Sequence, residues 1–213
     1  MQFATWEPIY HQILDDFGFS PARDEEGALL LAGLLQRRVD CLSIAEERVR
    51  EREAVIYGNA PSLDLELDML PEKDLVHIAA DGAAEVLLSR GIVPDIVVSD
   101  LDGPFPAIMQ ASQKGAIIVV HAHGDNLDAL SRYVPRLDNI IGTCQCRPPE
   151  GLYNFGGFTD GDRCVFMACE LGASSIELVG FDFEDQSVTP RKRKKLAWAK
   201  RLIEIALSDR QGK

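Results

Sequence analysis

Apolar positions along this chain change their period once. Over residues 1–53 they recur at helical spacing. Trp6, Tyr10, Ile13, Leu14 and Phe17 mark one stripe, and Leu29, Leu30, Leu34 and Leu35 mark another. SIAEERVREREA then reads as a charged helix. From residue 54 the pattern becomes short, unbroken apolar runs rich in β-branched residues. These are AVIY (54–57), LVHIA (75–79), DIVVS (95–99), AIIVV (116–120), NIIG (139–142) and SIELVG (175–180). Helical segments fall between most of them. Such alternation predicts a parallel sheet covered on both faces. The expected fold is α/β, with a Rossmann-like, mostly parallel sheet of about six strands. Its core spans 54–185. A helical segment (1–53) packs on it, and 186–213 carries a final basic, amphipathic helix.

Composition narrows the function. The net charge of -12 over 213 residues argues against general nucleic-acid binding. It also repels an anionic substrate, which must arrive with a metal ion or meet a local basic patch. Five cysteines in a chain of this length form no disulfide framework and read as reduced. Cys144 and Cys146 are metal-ligating types, but no second thiol pair follows them, and small residues at a strand end is the favoured reading. No apolar run is long enough to cross a membrane, and the opening MQFATWEPIY lacks the regions of a signal peptide. The expected location is the cytoplasm.

The chemistry gathers at strand ends. In ADGAAEVLLSRGIVPDIVVSDLDG (80–103), Asp81 follows one strand, and Asp100 and Asp102 follow the next. A crossover of that length joins parallel neighbours, so these acids should emerge at one sheet edge. Carboxylates converging there suggest a Mg²⁺ site for a polyphosphate. Asp100 and Asp102 are two apart and point the same way if SDLD is extended. Capping of the next helix would account for Asp81 alone. Asp95 starts its strand, which places it towards the opposite edge.

Other strand ends add candidates. GNAPSL (58–63) is a small-residue turn in which Gly58 lets the backbone approach a ligand and Ser62 could hold phosphate; taken alone it is a plain βα turn. HAHGDN (121–126) places His121 and His123 on one face beside Asp125, able to bind phosphate or a metal or to move a proton. FGGFTDGDR (155–163) opens a helix, with Thr159 or Asp160 as its N-cap and Asp162 in a loop shaped for a ligand. Asp182 either supports the metal site or caps a turn. The run Arg191 to Lys195 reads as a solvated helix face, with a cationic lid over phosphates as the alternative.

These motifs resemble the ADGxxN…PDxxxGDxDS signature of thiamin pyrophosphokinases. From GNAPSL through HAHGDN, FGGFTDGDR and VGFDF they are more similar still to the archaeal 6-hydroxymethyl-7,8-dihydropterin pyrophosphokinase family, the MptE-like group. That resemblance implies transfer of diphosphate from ATP to the pterin's hydroxymethyl group with release of AMP, in folate or methanopterin biosynthesis. It implies Mg²⁺ on Asp81, Asp100 and Asp102. It places Gly58, Asn59 and Ser62 along ATP, with His121 and Thr159 as further cofactor contacts. It makes His123, Asp125 and Asp162 the catalytic candidates. Its partners are ATP and a reduced pterin, and it implies a homodimer. The thiamin enzymes carry a C-terminal β-domain, whereas the residues after Phe183 read as helix here. A nucleotide-sugar glycosyltransferase and a non-catalytic nucleotide sensor are the remaining alternatives.

Overall fold

The computed structural model describes residues 2–36, 38–71 and 73–211. Helices α1 (Phe3–Phe17), α2 (Pro21–Leu35) and α3 (Leu42–Val49) come first. Gly18 ends α1 in the left-handed conformation that suits glycine, and Pro21 opens α2 after Ser20, where a missing N–H costs nothing. The strands follow as β1 (Glu53–Tyr57), β2 (Val76–Ala80), β3 (Ile96–Ser99), β4 (Ile117–Ala122), β5 (Ile140–Cys144) and β6 (Ser175–Val179). Between them lie α4 (Leu63–Glu66), α5 (Ala83–Ser89), α6 (Phe105–Gln113), α7 (Leu127–Tyr133) and α8 (Asp160–Glu170), and α9 (Pro190–Gln211) closes the described chain.

The six strands form one sheet in the order β5-β4-β3-β2-β1-β6, and every pairing is parallel. Right-handed crossovers fix what lies where. The chain steps in one direction from β1 to β5, which sends α4 to α7 to one face. It then returns across the sheet to β6, which sends α8 to the other, where α8 packs on β1, β2 and β3 and against α9. Central strands are buried on both faces, which explains their unbroken apolar runs. Ile56, Ile78, Ile96 and Ile117 lose all or nearly all contact with water, each contributing roughly 1.5–3 kcal/mol. β6 is an edge strand and is less buried.

The sheet matches the expected fold, with shifted strand ends. β4 runs two residues past the expected end because His121 and Ala122 still pair with Thr143 and Cys144 of β5. His121 therefore lies inside the sheet, not in the loop that follows it. Asp95 does sit at the amino edge, where it accepts the His77 N–H at 2.8 Å. No described helix is long and apolar enough to span a membrane.

Candidate active site

β2 and β3 end side by side and deliver the first two carboxylates. The Asp81 N–H donates to Val98 O at 2.8 Å, which locks one strand end to the other. Ser99, fully buried, then organises both: its hydroxyl donates to Asp81 Oδ1 at 2.6 Å and accepts the Leu101 N–H at 2.8 Å. Asp81 and Leu101 both adopt positive φ (41° and 65°). For residues other than glycine such a conformation costs on the order of 1–3 kcal/mol and collects at functional sites. At Leu101 it overturns the extended geometry expected for SDLD. Asp100 and Asp102 meet through a tight turn in which the Asp102 N–H reaches Asp100 Oδ1 at 3.3 Å.

The third carboxylate arrives from the opposite face. Thr159 is the N-cap of α8 and forms a capping box with Asp162. Asp162 is wholly buried and accepts the N–H groups of Phe158 and Thr159, both at 2.7 Å, and the Thr159 hydroxyl. It shapes the loop from inside. Asp160, at the first helical position, reaches the strand ends instead. One oxygen each of Asp81, Asp100 and Asp160 lie within 4.8 Å of one another. Opposite ligands of an octahedral Mg²⁺ are roughly 4.2 Å apart, so small side-chain movements would close this group on the ion. Three hard oxygen donors and no sulfur or nitrogen suit that metal. Asp102 lies outside this group, more exposed than its three members, beside Asp100.

Charge crowding marks the site. Burial pushes the Asp160 carboxyl well up, and Asp100, Asp81 and Asp102 add to this against the opposing pull of Arg163. Burial also raises Asp81, with Ser99 pulling back. Burial and its neighbour Asp100 lift Asp102 to about 6. Burial acts on Asp100 in the same sense, yet hydrogen bonds from His123 and Asp102, with Arg163 nearby, hold it below the usual carboxylate range. Of the two, Asp100 is the more readily ionised.

The HAHGDN loop braces Asp100. His123 Nε2 lies 3.2 Å from Asp100 Oδ2, and its Nδ1 accepts the Asp125 N–H at 3.1 Å. With Nδ1 accepting, the proton of a neutral ring sits on Nε2 and points at Asp100. Asn126 donates to Asp100 O and His121 O, both at 2.7 Å, and accepts the His123 N–H. Asp125 is exposed at the rim, and His121 is buried behind the site. The loop is held in turn by α2. Buried Asp24 accepts the Gly124 N–H at 2.9 Å, the Tyr10 hydroxyl at 2.7 Å and Gln145 Nε2 at 2.8 Å.

The GNAPSL turn plays a different part. A β-carbon on Gly58 would stand 2.5 Å from Gly180 O, so its close approach is to the β6 end rather than to open space. Asn59 is exposed and packs on Gly82, next to Asp81. Ser62 hydrogen-bonds Glu66, whose carboxylate accepts the Gly180 N–H at 2.8 Å. Asp182 is exposed and caps a turn by accepting the Glu184 N–H at 3.0 Å. Cys144 and Cys146 are buried free thiols.

A family model for MptE-like 6-hydroxymethylpterin diphosphokinases matches residues 35–187, a stretch that holds the whole carboxylate group. The chain belongs to this MptE-like family. It is 44% identical to a 6-hydroxymethyl-7,8-dihydropterin pyrophosphokinase of Methanothermobacter thermautotrophicus, over 96% of this chain and 94% of that protein. Proteins of the same name from Pyrococcus furiosus (42%; 96% of this chain and 94% of the relative) and Methanocaldococcus jannaschii (39%; 95% of each) are similar along nearly their full length. The curated relatives are thus named as diphosphate-transferring enzymes. In this MptE-like chain, sequence reasoning set Asp160 aside as a cap and passed over Ser99, Asn126 and Asp24. The T-x-x-D spacing of a capping box held the signal for Asp160. It assigns Asp162 to the backbone and leaves Asp160 to point elsewhere.

Proposed function

We propose that the chain transfers diphosphate from ATP to the hydroxymethyl group of 6-hydroxymethyl-7,8-dihydropterin and releases AMP, with Mg²⁺ held by Asp81, Asp100 and Asp160. The observation that carries this reading is the convergence of those three carboxylates at the carboxyl edge of the sheet, in a chain of this family. Asp81, Asp100 and Asp160 would hold the ion, whose positive charge would offset the negative charge that develops on the transferred group. The chain's own part is positioning. His123 turns Nε2–H to Asp100 and fixes which carboxylate oxygen faces the metal. Both its nitrogens are occupied, which leaves Asp125, exposed at the rim, as the better-placed acceptor for the hydroxymethyl proton. Asn59 and Ser62 border the same edge, on the side where the nucleotide would lie.

The test is an assay with ATP, Mg²⁺ and 6-hydroxymethyl-7,8-dihydropterin that follows AMP and the diphosphorylated pterin. Equal amounts of the two products are expected. Folded protein that yields neither would overturn the reading.

A further inference from the structure

The basic run of α9 is not simply solvated. Arg191, Lys194 and Lys195 share one helix face and cover three aromatic rings. The Arg191 guanidinium lies 5.5 Å from the centre of Phe19, and the Lys194 and Lys195 ammonium groups lie 4.9 Å and 5.7 Å from the centres of Phe17 and Phe158. Phe17 and Phe19 stack at 5.5 Å, and Phe158 packs on both. Lys194 also pairs with Asp16 at 3.3 Å, and Trp198 donates to the same carboxylate at 2.7 Å. This platform fixes the first turns of α9 to the loop that carries Asp160, since Phe158 lies just before it. Arg191, Lys194 and Lys195 all take part in this docking, and Lys194 is also neutralised by Asp16.

Lys192 and Lys195 are different. Among the described residues neither ammonium has an ion-pair partner, although the protein is strongly acidic. Lys195 sits over Phe158, two residues before Asp160, and Lys192 lies one turn before Lys195 on the neighbouring stripe of α9. Arg163, also beside the cluster, is bound to Asp160 and Gln145. Resting on the reaction proposed above, we propose that Lys192 and Lys195 form a clamp for the polyphosphate chain of the donor nucleotide. It grips the phosphates from the α9 side while the carboxylates hold the metal from the strand side. The docked helix pre-organises the two charges, and the clamp supplies the local positive patch that a polyphosphate needs to approach a chain of net charge -12.

Calorimetric binding of ATP and of inorganic triphosphate, with Mg²⁺ present, tests this on the wild type, on Lys192→Met/Lys195→Met and on Lys195→Arg. A charge-assisted contact is worth about a factor of ten or more. The double variant should therefore bind both ligands roughly 100-fold more weakly while keeping its far-UV circular dichroism, and Lys195→Arg should retain most affinity. A double variant with wild-type affinity overturns the clamp, and so does a loss that follows a fall in melting temperature and that arginine does not rescue. The two proposals fail separately. Wild type that binds ATP but yields no AMP overturns the reaction alone, and a double variant that yields AMP with wild-type KM overturns the clamp alone.

A second inference stands on a different observation. Thr143 donates its hydroxyl proton to Val120 O at 3.1 Å and so accepts from His121 Nδ1 at 3.2 Å. His121 therefore carries its proton on Nδ1, and among the described residues its Nε2 is a buried acceptor without a partner and Arg163 Nε–H a buried donor without one. Both side chains line one cavity of about 10 Å³. We infer that a single ordered water bridges them and holds Arg163 beneath Asp160, because a cavity of this size takes one water when polar groups line it. A high-resolution crystal structure should show that water, and ¹⁵N shifts should place the His121 proton on Nδ1. A dry cavity or a proton on Nε2 overturns the bridge.

Discussion

Gly103 lies against the carboxylate of Asp81. A β-carbon on Gly103 would stand 1.9 Å from Asp81 Oδ2 and 2.6 Å from its Cγ. The obstructed atoms belong to a movable side chain, so Gly103→Ala should swing Asp81 aside without breaking the sheet. The variant should keep its far-UV circular dichroism and lose Mg²⁺ affinity by on the order of 10–100-fold, as read by titration calorimetry. Unchanged Mg²⁺ binding would remove Asp81 from the metal group.

Asp160 and Asp162 should separate cleanly. Asp160→Asn should fold normally and lose Mg²⁺ binding and turnover. Asp162→Ala breaks the capping box and leaves the N–H groups of Phe158 and Thr159 without an acceptor. The cost should be about 2–4 kcal/mol in urea unfolding. Full stability in a dead Asp162→Ala enzyme would instead put Asp162 in the chemistry.

That contrast shows what was legible in the sequence. The parallel sheet was, because strands buried on both faces need unbroken apolar runs. The acidic strand ends were legible too, because βα crossovers bring such ends to one edge. What stayed hidden depends on single side-chain directions. Two aspartates flank Gly161, and only the helix geometry decides which folds back on the backbone. The left-handed turn at Leu101 cannot be read from a leucine. The part played by Asp24 needs Gly124, far along the chain, to be seen beside it.

Stability should fall as pH rises through the acid range when metal is absent. A carboxyl whose pKa rises on folding stabilises the fold below its unfolded value and loses that contribution as pH passes its folded value. For Asp102 the window runs from 3.8 to about 6, and Asp81, Asp160 and Asp162 shift in the same direction. Asp100 shifts the other way and offsets part of the effect. Melting temperatures in EDTA should drop across this window, and Mg²⁺ should restore them above it. A flat profile in EDTA would show that the carboxylates do not crowd.

Asp24→Ala should weaken the protein and loosen its site together. The change leaves the Tyr10 hydroxyl, the Gln145 amide and the Gly124 N–H short of an acceptor. Together they should cost about 2–4 kcal/mol. Hydrogen exchange at Gly124 and Asn126 should quicken beyond what the global loss explains. Protection at these amides equal to that of the wild type would show that the loop stands without α2.

The return crossover has a consequence for how the molecule is made. Asp81 and Asp100 come from neighbouring strands formed early along the chain, but Asp160 is delivered only after β5 is in place and the chain has turned back across the opposite face. A chain leaving the ribosome carries two of the three carboxylates for much of its synthesis. A metal held by these three carboxylates, as proposed above, would seal a sheet already assembled rather than nucleate the fold, and its binding would report that the chain has turned back across the sheet.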